Sequence, residues 1–260
     1  MRSLRAIAIL VVVGLMSSSA MADDWAQWNG PTRDGRFPFS AKIKFAEDPK
    51  PVWEQEIGLG YSGPVVAGER VVVTDYVQES GSITNNAGKR DELFGDERIS
   101  CLDRRSGEIL WQYDYDCNYK ISYPSGPRAT PVIHAGKVIA LGSEGDLLCL
   151  DLSTGEVLWQ VSFREQFGAQ TPLWGHAASP LVYVDQVICM VGGQGSLVVA
   201  FDLATGKVKW KSLTQEKNET GYCPPSIVEH GGKTQLMTWS PTTVSSLNPD
   251  TGSVYWQAPL

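Results

Sequence analysis

Four copies of one eleven-residue pattern constrain this chain more than any other feature. The clearest runs Cys149-Leu150-Asp151-Leu152-Ser153-Thr154-Gly155-Glu156-Val157-Leu158-Trp159. It is preceded by Cys101 to Trp111, followed by Ala200 to Trp210 and echoed by Ser246 to Trp256. Each copy carries a small residue, a short acceptor, a Ser or Thr joined to Gly, and a Trp. The matching positions are Asp103, Gly107 and Trp111; Asp151, Gly155 and Trp159; Asp202, Gly206 and Trp210; and Asn248, Gly252 and Trp256. The tryptophans stand 48, 51 and 46 residues apart, so the chain is an array of repeated supersecondary units.

The content of each unit identifies it as β. A Pro opens an apolar run, a turn follows, and a second apolar run returns: Pro64 to Val73, Pro131 to Ala140 and Pro180 to Cys189. These β-branched runs of four to six residues, bounded by Gly, Asp or Lys, have the length and composition of strands. A third strand leads into the Asp-x-x-Thr-Gly corner and a fourth carries the Trp. The fold predicted is therefore all-β: a β-propeller of four-stranded antiparallel blades, with four blades at about 61–112, 128–161, 177–212 and 222–258. The Pro-to-Trp distance is 47 residues in the first unit against 28, 30 and 31 in the others. An insertion at about 76–98 accounts for the excess, and its Gly-rich, charged composition predicts a surface loop without function.

The corner residues follow from strand reversal. The Gly supplies a positive φ that other residues adopt only with strain. The Asp or Asn accepts hydrogen bonds from turn amides. The Trp covers the seam between blades, where burying about 200 Å² at about 25 cal/mol per Å² contributes at most on the order of 5 kcal/mol. Cys101 and Cys149 share a position with Ala200 and Ser246, so they read as small buried strand residues, as does Cys189. Five cysteines, an odd count, leave at least one unpaired and imply no disulfide framework.

The N-terminus has the layout of a secretory signal over 1–22: Arg2 and Arg5, an apolar core from Ala6 to Met16, and Ala20-Met21-Ala22 as cleavage site. A periplasmic or secreted location follows, with no membrane insertion after cleavage. Losing those residues takes the formal charge from −7 to −9, and the basic residues are scattered, which argues against nucleic acid as a partner. Residues 23–50 form a turn-rich lead-in whose Trp25 and Trp28 are expected to plug an apolar surface. Pro51 to Ile57 reads as an outer strand that precedes blade one. Because blade four already has its own outer strand, the expectation is an incomplete part of a seven- or eight-bladed ring.

The four Asp/Asn-x-x-Ser/Thr-Gly-x-x-x-Trp copies, with their opening hairpins, resemble the tryptophan-docked propeller repeats of the pyrroloquinoline-quinone (PQQ) quinoprotein superfamily over about residues 50–258. Trp25-Ala26-Gln27-Trp28-Asn29-Gly30-Pro31 resembles the start of secreted bacterial proteins with this repeat. The pattern is also similar to that of the non-enzymatic propeller lipoprotein of the outer-membrane assembly machinery, although no lipid-attachment Cys stands near the cleavage site. The resemblance implies a non-catalytic scaffold that binds protein or extracellular polymer, with no cofactor. The alternative it implies is a PQQ- and calcium-dependent dehydrogenase of alcohols or sugars. The vicinal Cys-Cys of the alcohol-oxidising branch and a Cys-x-x-Cys-His haem motif are both missing from the sequence. Residues just before each opening Pro are expected at the channel mouth, which makes Tyr61, Arg128, His176 and Tyr222 the candidate ligand-binding residues.

Overall fold

The structure is a computed structural model that describes residues 24–36, 47–214 and 220–260. The expected signal peptide lies outside the described residues. Each strand set forms one antiparallel sheet in sequence order, which requires only short turns between neighbours. Blade one is β1 (Val65–Ala67), β2 (Arg70–Gly81), β3 (Asp91–Asp103) and β4 (Ile109–Asp116), with β5 (Tyr119–Ile121) added along β3. Blade two is β6 (Val132–His134), β7 (Lys137–Leu141), β8 (Asp146–Asp151) and β9 (Val157–Ser162). Blade three is β10 (Leu181–Tyr183), β11 (Gln186–Gly193), β12 (Ser196–Asp202) and β13 (Val208–Ser212). Blade four is β14 (Ser226–His230), β15 (Lys233–Trp239), β16 (Thr243–Leu247) and β17 (Val254–Pro259).

The repeat works as a clasp from one blade to the next. In all four corners the Gly has positive φ, 69 to 77°. The Asp or Asn Oδ1 accepts two backbone N–H groups, as Asp151 does from Ser153 (2.8 Å) and Thr154 (3.0 Å). The first three Trp residues of the pattern then lie against the Gly of the following corner and donate their indole N–H to a carbonyl there. Trp111 donates to Leu152 (2.9 Å), Trp159 to Leu203 (3.1 Å) and Trp210 to Pro249 (3.1 Å). A Cβ on Gly155, Gly206 or Gly252 would lie 2.5 to 2.7 Å from the indole, so only Gly admits the ring. Every outer strand also carries the same bulge, which sets the Trp directly across from the small residue of the pattern: Cys101, Cys149, Ala200 or Ser246.

Between blades the apolar faces close into separate cores. Val65, Val72 and Ile99 of blade one meet Ile133, Val138 and Leu150 of blade two. Ile139, Leu147 and Trp159 meet Val187, Val199 and Phe201. Ile188, Val198 and Trp210 meet Leu236 and Leu247. Among the described residues no such core joins blade four to blade one, and Trp256 is 44% exposed, its N–H turned to Gln235 of its own sheet (3.3 Å). Trp53 repeats the clasp on the first corner, donating to Arg104 (2.9 Å) over Gly107. The strand expected around it pairs with no sheet among the described residues.

The insertion differs from the expected loop. Strands β2 and β3 run through it as a paired ribbon from Tyr76↔Glu97 to Gly81↔Leu93, which leaves only residues 82–90 outside strands. Its buried face alternates Asp91, Leu93, Gly95, Glu97 and Ile99. The two carboxylates among them hid the period-2 signal of a half-buried strand. Glu97 is compensated inside: the Tyr115 and Tyr119 hydroxyls and the Ser143 N–H (2.8 Å) donate to it.

Candidate functional site

Residues 24–36 of the lead-in run along the inner edges of the blades, where strand N–H and C=O groups otherwise stand unpaired. Trp25 and Val66 of β1 exchange both backbone hydrogen bonds (2.9 and 3.0 Å). Ile133 of β6 donates to the Ala26 carbonyl (2.8 Å). Arg33 then reaches the Pro180 carbonyl (3.0 Å), one residue before β10. Gly30, with φ 78°, lies so close under the Trp25 ring that a Cβ would come within 2.7 Å of it. The segment thereby forms one wall of a cavity of about 440 Å³, to which it contributes Trp25, Trp28 and Asn29.

That cavity gathers three of the four residues expected at the channel mouth. Tyr61, Arg128 and Tyr222 line it together with Thr130 and Ser179. Tyr61 is fixed by its N–H to Pro127 (2.8 Å), and its ring lies 5.2 Å from the Arg128 guanidinium carbon. Arg128 Nη2 donates to the Tyr123 carbonyl, and burial lowers its pKa. Its Nη1 is buried and has no hydrogen-bond partner among the described residues.

His176 does not join them. It is buried edge-on against Phe163 (centroids 5.4 Å apart), and its backbone N–H donates to the Ser143 carbonyl (2.8 Å). Burial first, then the charge of Arg164, pushes its pKa from 6.5 down to about 3, so it is a neutral core imidazole. The short helix α1 (Phe163–Phe167), capped by Ser162 and ended by Gly168 at φ 62°, supplies that Phe and delivers the chain into the loop that precedes His176.

The same loop builds a second recess. Leu173, Trp174, Gly221, Tyr222, Trp239 and Pro241 line an open groove of about 580 Å³ in which no lining residue is charged. Trp174 stacks at a tilt on Tyr222 (5.2 Å) and donates its indole N–H to Ala87 of the blade-one ribbon tip (3.1 Å). Arg90 of that ribbon donates to the Thr171 (2.9 Å) and Lys120 (2.7 Å) carbonyls, so the insertion braces the groove. Trp174 and Trp239 remain 42% and 51% exposed. Tyr222 lines both recesses, a shared wall that places the groove and the cavity side by side as the two halves of a trough. Sequence reasoning did not reach Trp239 or the role of Trp174. The available signal was that five of the nine tryptophans (Trp25, Trp28, Trp53, Trp174 and Trp239) stand outside the repeat position.

The trough holds one arginine, four phenol or hydroxyl side chains besides Tyr222, an amide and aromatic walls. Calcium requires several oxygen ligands, carboxylates among them, and neither recess is lined by an Asp or Glu. Among the described residues no group of three His, Cys, Asp or Glu is placed to hold a metal. The carboxylates that cluster elsewhere, Asp116, Glu144, Asp146 and Glu165, form a recess of about 290 Å³. Glu144 there is taken by Arg164 (2.6 Å), Thr171 (2.6 Å) and the Lys120 N–H (2.8 Å).

The sequence profile of the family described as outer membrane protein assembly factor BamB matches residues 95–260. Among solved structures, BamB from Moraxella catarrhalis is 21% identical, with 75% of this chain and 55% of that chain covered and a TM-score of 0.49. A europium-containing methanol dehydrogenase is 15% identical, covering 77% and 51%, with a TM-score of 0.50. The quinohemoprotein alcohol dehydrogenase from Comamonas testosteroni is 17% identical, covering 93% and 42%, with a TM-score of 0.56. The last two likenesses are of fold alone, and they agree with the blades described above. The chain spans 42 to 55% of the length of these structures. No curated protein sequence matches it.

Proposed function

The chain belongs to the family of the outer membrane protein assembly factor BamB, and from that premise we propose that it is a non-catalytic periplasmic scaffold that binds a protein partner through the trough at Tyr222. The observation that carries this reading is the uncharged groove with Trp174 and Trp239 exposed. Large aromatic rings left open on a surface are the usual anchors of a protein interface, since they bury much area at little entropic cost. The inner edge of the blades supports the same reading, because it is already occupied by residues 24–36 of the chain itself.

Among the described residues no helix is long and apolar enough to cross a membrane. A role in outer-membrane assembly is the expectation that the family carries to this chain.

The test is a photo-crosslinking amino acid at Trp239 in the producing cell, with a second at Lys209 on the outer strand of blade three as a control. The expected result is a discrete adduct from position 239 that contains an outer-membrane assembly protein, is missing from position 209, and is lost in Trp174→Ala. The opposing result is no adduct at 239, together with stoichiometric PQQ uptake and dye reduction with alcohols when the quinone and calcium are added to the purified protein.

A further inference from the structure

The two halves of the trough differ in charge. The groove at Trp174 and Trp239 is neutral, whereas the cavity beside it has one cation and no anion. Arg128 makes no ion pair among the described residues, where every salt bridge involves other groups. Its guanidinium is held rather than free: the Tyr61 ring stacks on it, Tyr123 takes Nη2, and Nη1 is buried beside Gly175 with no acceptor among the described residues.

A second cation stands behind the same wall. Arg33 lies 5.4 Å from the Trp28 ring centroid, donates to the Ser179 (3.4 Å) and Pro180 (3.0 Å) carbonyls, and makes no ion pair among the described residues either. Its Nε is another buried donor without a partner. Burial lowers the pKa of both arginines, that of Arg33 to about 10, as expected for cations that have lost water and gained no counter-charge. In a chain of net charge −7, two partly buried guanidiniums without carboxylates form a local positive field against the overall sign.

We infer that this cavity takes a single carboxylate from an extended peptide of the protein partner, with the adjoining side chain passing Tyr222 into the groove of Trp174 and Trp239. A carboxylate supplies one localised negative charge, the counter-charge that Arg128 lacks among the described residues. Thr130, Ser179 and Asn29 around it are neutral groups able to add hydrogen bonds. One lining arginine and no lysine suits one negative charge, and the acidic surface beyond repels polyanions. The carboxylate has two possible sources with the same chemistry, a chain terminus or an Asp or Glu side chain.

This inference rests on the scaffold reading, and titration calorimetry of the full chain at low salt separates the two. Three probes serve: Ac-Ala-Ala-Tyr with a free C-terminal carboxylate, its C-terminal amide, and Ac-Ala-Glu-Tyr-amide. One or both charged peptides are expected to bind at least tenfold more tightly than the neutral amide, and which of them does so identifies the source. Arg128→Gln removes that advantage, and Arg128→Lys keeps part of it. Should Arg128→Gln fail to fold, 0.5 M NaCl on the unaltered protein tests the same charge by weakening the charged probe and sparing the amide. Equal binding of all three probes, lost in Trp239→Ala, overturns the carboxylate pocket and leaves the scaffold standing. Binding of none overturns the pocket, and the crosslink at position 239 then decides the scaffold separately.

Discussion

The tryptophans of the clasp and those of the trough share one side chain and have opposite surroundings. Trp159 is 8% exposed, its N–H is bonded to Leu203, and its face is filled by Gly206. Trp239 is 51% exposed beside Tyr222 and Pro241. An indole with its hydrogen bond made and its face covered stabilises a fold, whereas an indole in water adds little to folding and gains free energy when a partner covers it. Trp256 falls between them. It has the bulge and the small partner Ser246 of a clasp, but no following Gly lies against it among the described residues.

That contrast breaks most visibly at the seams. Trp159→Ala should destabilise the fold by about 3–5 kcal/mol, because it removes a buried indole from the core between blades two and three. A denaturant midpoint unchanged in this variant would mean that the clasp does not hold the blades. Gly206→Ala tests the other half of the same contact. A Cβ 2.7 Å from the Trp159 ring, on a residue at φ 69°, should cost about 2–4 kcal/mol. Gly195→Ala, at φ 66° with nothing within 4 Å, should cost only about 1 kcal/mol for the backbone strain. Equal losses at Gly206 and Gly195 would show that the indole does not press on the corner.

Trp256→Ala should cost less than either clasp change, about 1 kcal/mol, because nearly half of its surface is already in water. The pH dependence of stability sharpens the account from another side. His176 has its folded pKa lowered from 6.5 to about 3, so its contribution is complete above pH 6.5 and is lost as the pH falls towards 3. The steepest slope is about 1.4 kcal/mol per pH unit from this group. His176→Gln, compared with the unaltered chain by chemical denaturation at pH 7 and pH 4.5, should show a smaller fall on acidification. An identical fall would place the imidazole in solvent rather than against Phe163.

What could be read from the sequence and what could not divides along the same line. The corners were legible because each needs a residue type for a local reason: Gly for positive φ, Asp or Asn for turn amides, Trp for area. Four copies then repeat that need at one spacing. The small residue of the pattern was visible as well, but its reason, standing across a bulge from the Trp, lies in the pairing of two strands. The ribbon of blade one was misjudged because its buried face includes Asp91 and Glu97, whose compensation by Thr84, Tyr115 and Tyr119 involves residues 7 to 22 positions away.

The candidate site was half legible. Position before the opening Pro brought Tyr61, Arg128 and Tyr222 together, since equivalent loops gather at one end of the blades. The same rule missed His176, whose loop turns it into the core behind α1, and it gave no reason to connect Trp174 with Trp239 across two blades. Those contacts depend on how the loops fold over one another, which a repeat pattern does not encode.

The most direct test of the division between clasp and trough measures stability and partner capture together in the double variant Trp174→Ala/Trp239→Ala, with the crosslinker at Tyr222. The account predicts a loss of stability of about 1–2 kcal/mol, well below that of Trp159→Ala, because both rings are about half in water, and loss of the partner adduct. A retained adduct, or a loss of stability comparable to that of Trp159→Ala, would contradict it.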